Sequence, residues 1–200
     1  MRYFITAIGT DSGKTLVSAI VTEHLKADYW KPVQAGFPRD LDTVKSLVTN
    51  STSQFHQEAY LLKTPASPHM AARIDNIRID LHKIQLPETQ NKLVIEGAGG
   101  VMVPLNDHDY VIDLASRFQA KIILVSNLYL GSINHTLLTI EYLKSRNLPV
   151  AGLVFNGKSN PDSEQIIIQK SGWPVLLKIE QEERVDVAIV SKYAGLIEFD

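Results

Sequence analysis

Apolar residues fall into two textures along this chain. Short unbroken runs, Tyr3-Phe4-Ile5-Thr6-Ala7-Ile8, Lys92-Leu93-Val94-Ile95, Lys121-Ile122-Ile123-Leu124-Val125 and Val150-Ala151-Gly152-Leu153-Val154-Phe155, have the length and β-branched content of strands covered on both faces. Between them, apolar positions recur at three- and four-residue spacing. Val17, Ile20, Val21, His24 and Leu25 form one such stripe, ending near Asp28, and Val44, Leu47 and Val48 form another after Asp40-Leu41-Asp42-Thr43. Further helices are predicted around 110–119, from about 134 to 146 with Leu137, Leu138, Glu141, Tyr142 and Lys144 on its surface, and from about 162 to 170. His24 lies within its stripe, so the pattern predicts a packed or partly covered ring.

Tyr29-Trp30-Lys31-Pro32-Val33-Gln34-Ala35-Gly36 reads as one strand, interrupted by lysine and stopped by proline and glycine. Pro174-Val175-Leu176-Leu177 is a short last strand, and 185–190 fits either strand or helix. Residues 50–92 are the least patterned. Pro65, Pro68 and Pro87 punctuate short helical pieces there, with Ser67-Pro68-His69 looking like a helix start; the stretch suits a substrate-facing excursion or plain structural cover. Buried strands alternating with amphipathic helices predict an α/β fold, a mostly parallel sheet with helices on both faces, in a single domain spanning 1–200. No repeat and no Gly/Ser/Pro-rich linker divides it.

Composition narrows the chemistry. Hydrophobic content of 44% with 21% charged residues is that of a globular chain with a sizeable core. The formal net charge of -2 gives no broad attraction to nucleic acid or an anionic membrane, so small-molecule partners are expected. Absence of cysteine removes disulfides, thiolate metal sites and cysteine nucleophiles. The first strand begins at Tyr3 with no basic and apolar leader before it, and no apolar run is long enough to span a bilayer, so the expectation is a soluble cytoplasmic protein.

The first candidate site is Gly9-Thr10-Asp11-Ser12-Gly13-Lys14-Thr15, lying between a strand and a helix. Glycines let backbone N–H groups converge on an anion at a helix N-terminus, where Lys14 reaches outer phosphates and the Thr15 hydroxyl ligates Mg2+. The strict pattern G-x-x-x-x-G-K-S/T has one residue more between its glycines, and Ile8 stands where its first glycine belongs. A glycine turn without a ligand is the plainer alternative. Lys14 is expected to be an exposed loop side chain.

Other chemistry-bearing residues sit where parallel strands end. Lys31 faces the same phosphates or simply solvent. Asp42 caps a helix, complements its dipole, or ligates a metal. Glu96, followed by Gly97, Ala98, Gly99 and Gly100, positions a metal or water at a glycine-rich turn, or is solvated. No histidine pair has metal-ligand spacing. Leu130-Gly131-Ser132-Ile133-Asn134 is an ordinary capped helix start or an anion site built of backbone N–H groups and two polar side chains.

Taken together, these stretches resemble the dethiobiotin synthetase family of P-loop enzymes over nearly the whole chain. Its G-T-D-T-x-x-G-K-T loop is matched, two residues shorter, by Gly9 to Thr15, and its K-P-V-x-S/T-G by Lys31 to Gly36, with Ala35 replacing the hydroxyl residue. Its Ser-Asp helix start corresponds to Leu41-Asp42, its V/I-E-G-A-G-G to Ile95 to Gly100, its S-P-H to Ser67 to His69, its L-G-x-I-N-H to Leu130 to His135, and its strand-end asparagine to Asn156. The family's P-x-L-G-x-I/L-P segment is reduced to Pro174 to Glu180, without its glycine and second proline.

The resemblance implies an ATP- and Mg2+-dependent enzyme that closes a ureido ring on 7,8-diaminononanoate with CO2, giving dethiobiotin, ADP and phosphate. It assigns Lys14, Lys31 and Thr10 to the reacting groups, and Thr15, Asp42 and Glu96 to Mg2+. Gly9, Asp11, Ser12, Gly13, Lys14, Thr15, Leu16, Asp42, Glu96, Gly97, Ala98, Gly99, Asn156 and Gly157 would contact ATP. Thr10, Lys31, Ala35, Gly131, Ser132 and Asn134 would contact substrate, the last three from the second subunit of a homodimer, with Leu138 and Tyr142 near the interface. A ParA-like nucleotide switch is the rival reading, but that group carries a lysine just after the loop's first glycine, where this chain has Thr10. An amidotransferase-type cobyrinate synthetase would need a cysteine nucleophile, which is absent.

Overall fold

In the computed structural model, which describes residues 1–199, the apolar runs become strands and the periodic segments helices. The strands are β1 (Arg2–Ala7), β2 (Asp28–Trp30), β3 (Val33–Ala35), β4 (Phe55–His56), β5 (Tyr60–Leu62), β6 (Leu93–Gly100), β7 (Lys121–Asn127), β8 (Val150–Asn156) and β9 (Val175–Ile179). The helices are α1 (Lys14–Leu25), α2 (Asp40–Leu47), α3 (Pro68–Ile74), α4 (Asp113–Arg117), α5 (Ser132–Ser145), α6 (Pro161–Ser171) and α7 (Val187–Ala194). Seven strands form one sheet in the order β4-β2-β6-β1-β7-β8-β9, every pairing parallel.

The unbroken apolar runs have a simple cause. Within β1, Tyr3, Ile5 and Ala7 join one core while Phe4 joins the other; in β7, Ile123 and Val125 face the first and Ile122 and Leu124 the second. Helices α1, α2 and α7 cover the first face, and α3 to α6 the second. Each fully buried aliphatic or aromatic side chain contributes about 1.5–3 kcal/mol, so neither face tolerates a polar alternation. Because all strands run the same way, their carboxyl ends share one edge, and the chain leaves β1 for β2 on the far side of β6. The crevice where connections diverge is where such sheets bind ligands.

Several expectations are corrected. The strand predicted over 29–36 breaks at Lys31-Pro32: proline offers no N–H to the ladder, and its carbonyl accepts instead from Ala59 and Tyr60. Beyond the break, β3 pairs with β5 as a separate parallel ribbon. Gly97 to Gly100, predicted as a turn, continue β6. Helix α4 is shorter than predicted, α5 starts two residues earlier, and the ambiguous segment near 185–190 enters helix α7, capped by the Asp186 side chain accepting from Ile189 N–H at 3.1 Å. His24 stands at the margin of its stripe, exposed, with Nδ1 2.8 Å from the Ala194 carbonyl.

The unpatterned region is held by polar contacts that hydrophobic spacing does not report. Buried Asp28 accepts from Gln54 N–H (2.9 Å), the Thr89 hydroxyl (2.6 Å) and Asn91 (3.2 Å), and contacts His56 at 3.1 Å. Burial pushes its carboxyl up, but these bonds prevail and hold it below the ordinary range. No helix in the described residues is long and apolar enough to cross a membrane.

Candidate active site

The loop between β1 and α1 is shaped from within. Ser12 is buried, its hydroxyl donating to the Gly9 carbonyl at 3.2 Å, and Lys14 Nζ donates to the same carbonyl at 3.1 Å. Gly13 adopts φ 94° as it starts α1, and a Cβ there would lie 2.2 Å from Asn156 Nδ2. That amide nitrogen donates to the Ser12 carbonyl at 3.0 Å, so the end of β8 braces the loop from behind. Lys14 is therefore buried rather than exposed as expected, because its aliphatic stem is enclosed as the chain turns into the helix. Burial holds its pKa below the usual lysine range, opposed by Glu96, Asp40 and Asp11. A cation kept in such a place is ready to receive anionic oxygens.

Strands β2 and β6 and the start of α2 add the remaining charged groups. Glu96 in β6 has a side chain 0% exposed; its Oε1 accepts from the Thr15 hydroxyl at 3.0 Å and from Lys31 Nζ at 3.2 Å, and its Oε2 from the Tyr29 hydroxyl at 2.9 Å. Lys31 also pairs with Asp40. Burial alone would lower the Lys31 pKa, but Glu96 and Asp40 outweigh it and hold the ammonium above the ordinary range. Burial, reinforced by Glu96, pushes the Tyr29 phenol well above its usual value. Lys14, Thr15, Lys31, Asp40 and Glu96 border one cavity of about 770 Å3 lined also by Thr10, Asp11, Gly13, Gln34, Ala35, Ala98 and Gly99.

A family model described as an AAA domain matches residues 1–188. The ATP-dependent dethiobiotin synthetase BioD of Cytophaga hutchinsonii is 58% identical over 195 residues, 96% of this chain and 95% of the relative. The protein of the same name from Christiangramia forsetii is 52% identical, covering 96% of this chain and 93% of the relative. The chain belongs to the dethiobiotin synthetase family. Among solved structures, the septum site-determining protein MinD from Pyrococcus horikoshii has a TM-score of 0.58 at 14% identity, with 97% of this chain and 95% of that one covered. A ParA family ATPase from Chlorobium tepidum gives 0.57 at 11%, with 91% and 84% covered. At such identities the likeness establishes the fold alone.

Within this synthetase-family fold the expected site residues divide. Thr10, Asp11, Gly13, Lys14, Thr15, Lys31, Ala35, Glu96, Ala98 and Gly99 line the cavity. Asp42 does not. Its side chain is 57% exposed and forks with Arg39 at 2.7 and 2.9 Å, which holds the carboxyl below its usual range. Asp40, two residues earlier at the first residue of α2, faces the cavity instead, because the helix begins there and points that side chain toward Lys31. Leu16 packs toward the α1-side core, and Gly97 lies inside β6 against Phe4 and Val111. Asn156 stands behind the loop, Gly157 donates its N–H to the Ile179 carbonyl at 2.9 Å outside the cavity lining, and Ser132 is buried while Gly131 and Asn134 are exposed away from this cavity.

Sequence reasoning gave no site role to Gln34, Asp40 or Val103, whereas Pro65 to Pro68, in the stretch read as a substrate-facing excursion or plain cover, form a wall of this cavity. For Asp40 the signal was present, an acidic residue at a predicted helix start, but the choice between it and Asp42 needs the helix phase. The donors suit Mg2+: a hydroxyl and two carboxylates are hard oxygen ligands, and phosphate oxygens and water can complete the shell. No group of three or more acidic, histidine or cysteine side chains placed to hold a metal ion by themselves occurs among the described residues.

Gly13→Ala tests the brace. The new methyl must displace Asn156 and occupy left-handed backbone, which costs an ordinary residue about 1–2 kcal/mol. ADP affinity, measured by calorimetry, is expected to fall about tenfold or more. An unchanged Kd would show that the loop tolerates the side chain.

Proposed function

We propose that this chain catalyses the ATP- and Mg2+-dependent closure of a ureido ring on 7,8-diaminononanoate with CO2, releasing dethiobiotin, ADP and phosphate, and that the cavity beside Gly9 to Thr15 is where this occurs. The observation that supports it most is the meeting of Lys14, Thr15, Lys31, Asp40 and Glu96, from four separate segments, around one cavity in a member of this family. The whole chain serves as one catalytic domain in this reading. A cytoplasmic setting goes with it, since each turnover consumes ATP.

The reaction asks for charge control rather than a nucleophilic side chain. An amine of the substrate adds to CO2, losing a proton, and forms a carbamate. A carbamate oxygen then attacks the γ-phosphorus and ADP departs, leaving a mixed anhydride. The second amine attacks its carbonyl carbon and phosphate leaves, closing the ring. Each step brings anions together, so cations must be fixed beforehand.

Lys14, enclosed and in direct ion pair with no carboxylate among the described residues, neutralises the γ-phosphoryl oxygens as charge shifts toward ADP. Lys31, held between Glu96 and Asp40, is positioned to bridge the carbamate and the transferring group, and Thr10 at the rim donates a hydrogen bond to the carbamate. Thr15, Glu96 and Asp40 would hold Mg2+, which lends Lewis-acid stabilisation to the phosphates. Backbone groups of Gly9, Asp11, Ser12 and Gly13 cradle phosphate, with Asn156 fixing their geometry and Gly157 beside the base.

Incubating the protein with ATP, Mg2+, bicarbonate and the diamine is expected to give dethiobiotin by mass, with ADP formed in step. ATP hydrolysis indifferent to the diamine would overturn the proposal.

The far carboxylate of the substrate takes no part in ring closure and serves binding only. We assign it to Gly131 and Asn134 at the N-terminus of α5 in a second copy of the chain, with exposed Leu130, Ile133 and Leu138 supporting a homodimer. Ser132, buried in its own chain, contributes through the turn it forms: its N–H is taken by the Tyr129 carbonyl at 2.9 Å. A methyl ester of the diamine is expected to bind about tenfold worse, roughly 1.4 kcal/mol. Equal binding of ester and acid, or full activity of a diluted monomer, would remove this shared site.

A further inference from the structure

We propose that Tyr29 is a positioning residue for Glu96, fixing which carboxylate oxygen is offered to Mg2+ and to Lys31. The inference rests on the phosphate-site reading above and extends it to a residue that no motif includes. Tyr29 lies in β2, fully buried, one residue away from Lys31-side Trp30 and paired in register with Val94 of β6. Its ring packs on the α1 side of the sheet, 6.5 Å from Phe55 between centroids. Phenylalanine would fill that space equally well. The hydroxyl is thus not needed for packing, and a buried hydroxyl without a partner is costly.

Its partner is Glu96 Oε2, at 2.9 Å. The opposite oxygen, Oε1, is the one that meets Thr15 at 3.0 Å and Lys31 at 3.2 Å. A carboxylate turns readily about its last torsion, so a group with both oxygens unpinned would divide its time between orientations. The Tyr29 bond stops that rotation from the core side, leaving Oε1 toward the cavity. Groups that orient a metal ligand in this manner commonly change metal affinity by 10- to about 100-fold when removed.

The test is Tyr29→Phe, read by calorimetric titration of Mg2+ into protein with ADP present, which needs no turnover. The half-saturating Mg2+ concentration is expected to rise about tenfold, with ADP affinity in EDTA unchanged. In a Glu96→Ala background, where the hydroxyl has nothing to orient, the same substitution is expected to shift it less than about twofold. A Tyr29→Phe protein with wild-type Mg2+ dependence, whatever its melting temperature, would overturn the inference, as would an equal shift in both backgrounds. If Tyr29→Phe fails to fold, Tyr29→Met answers by the same titration. Wild-type protein that binds ADP without regard to Mg2+, or forms no dethiobiotin, would instead defeat the site reading itself.

Discussion

Lys14→Ala is expected to abolish diamine-dependent ATP turnover while leaving the fold in place. The Lys14 ammonium lies beside the loop proposed to cradle phosphate, and among the described residues its hydrogen bond is to the Gly9 carbonyl. Removing one preorganised donor from a transition state of this kind costs about 10²- to 10³-fold in kcat, or about 3–4 kcal/mol. Stability should change little, although the reason differs from the one suggested by an exposed loop lysine. Burial works against the charge at this position, so deleting it relieves a cost that offsets the lost packing of the stem. The comparison needs steady-state rates alongside thermal melts. Retention of more than about a tenth of the wild-type rate, roughly 1.4 kcal/mol, would mean that Lys14 is not a phosphate ligand.

The second large effect concerns the two carboxylates beside Lys31. Glu96→Gln and Asp40→Asn should each raise the Mg2+ concentration needed for half-maximal rate by at least about tenfold, because in the proposed site each would remove a hard anionic ligand. They also strip Lys31 of one of its two anchoring partners. Asp42→Asn should leave the Mg2+ titration within about twofold of wild type, since the exposed pair with Arg39 adds little to stability and its loss touches nothing in the cavity. The three titrations rank the ligands directly. A larger shift for Asp42→Asn than for Asp40→Asn would return the metal role to Asp42 and require α2 to start differently.

The ranking illustrates what linear spacing conveys and what it does not. Gly13-Lys14-Thr15 after a buried strand is informative by itself, since the glycine, cation and hydroxyl must be contiguous to wrap one phosphate group. Glu96 at the end of an apolar run is legible for a related reason: the run predicts a buried strand, and parallel strands end at one edge. Asp40 and Asp42 cannot be separated that way. Residues two apart on a helix point in different directions, and only the observed start of α2 says which one meets Lys31. Lys31 itself was legible as a strand-end lysine, but Pro32 makes it the hinge between the main sheet and the β3–β5 ribbon, which a single apolar run conceals.

What the sequence by itself determined is therefore local and periodic: the alternation of buried strands and amphipathic helices, the glycine-lysine-threonine loop, the carboxylate after the apolar run of β6, and membership of an enzyme family whose motifs recur along the whole chain. Those features depend on neighbours in sequence or on a repeat set by backbone geometry, and both survive in a one-dimensional record. The tertiary structure alone decided the contacts that join distant segments. Glu96 and Thr15 are 81 positions apart, Asn156 and Ser12 are 144 apart, and Tyr29 and Glu96 are 67 apart. Such pairs follow from strand order and register, in which β6 is inserted between β1 and β2, and no spacing rule connects a side chain to a partner that only the completed sheet brings within reach.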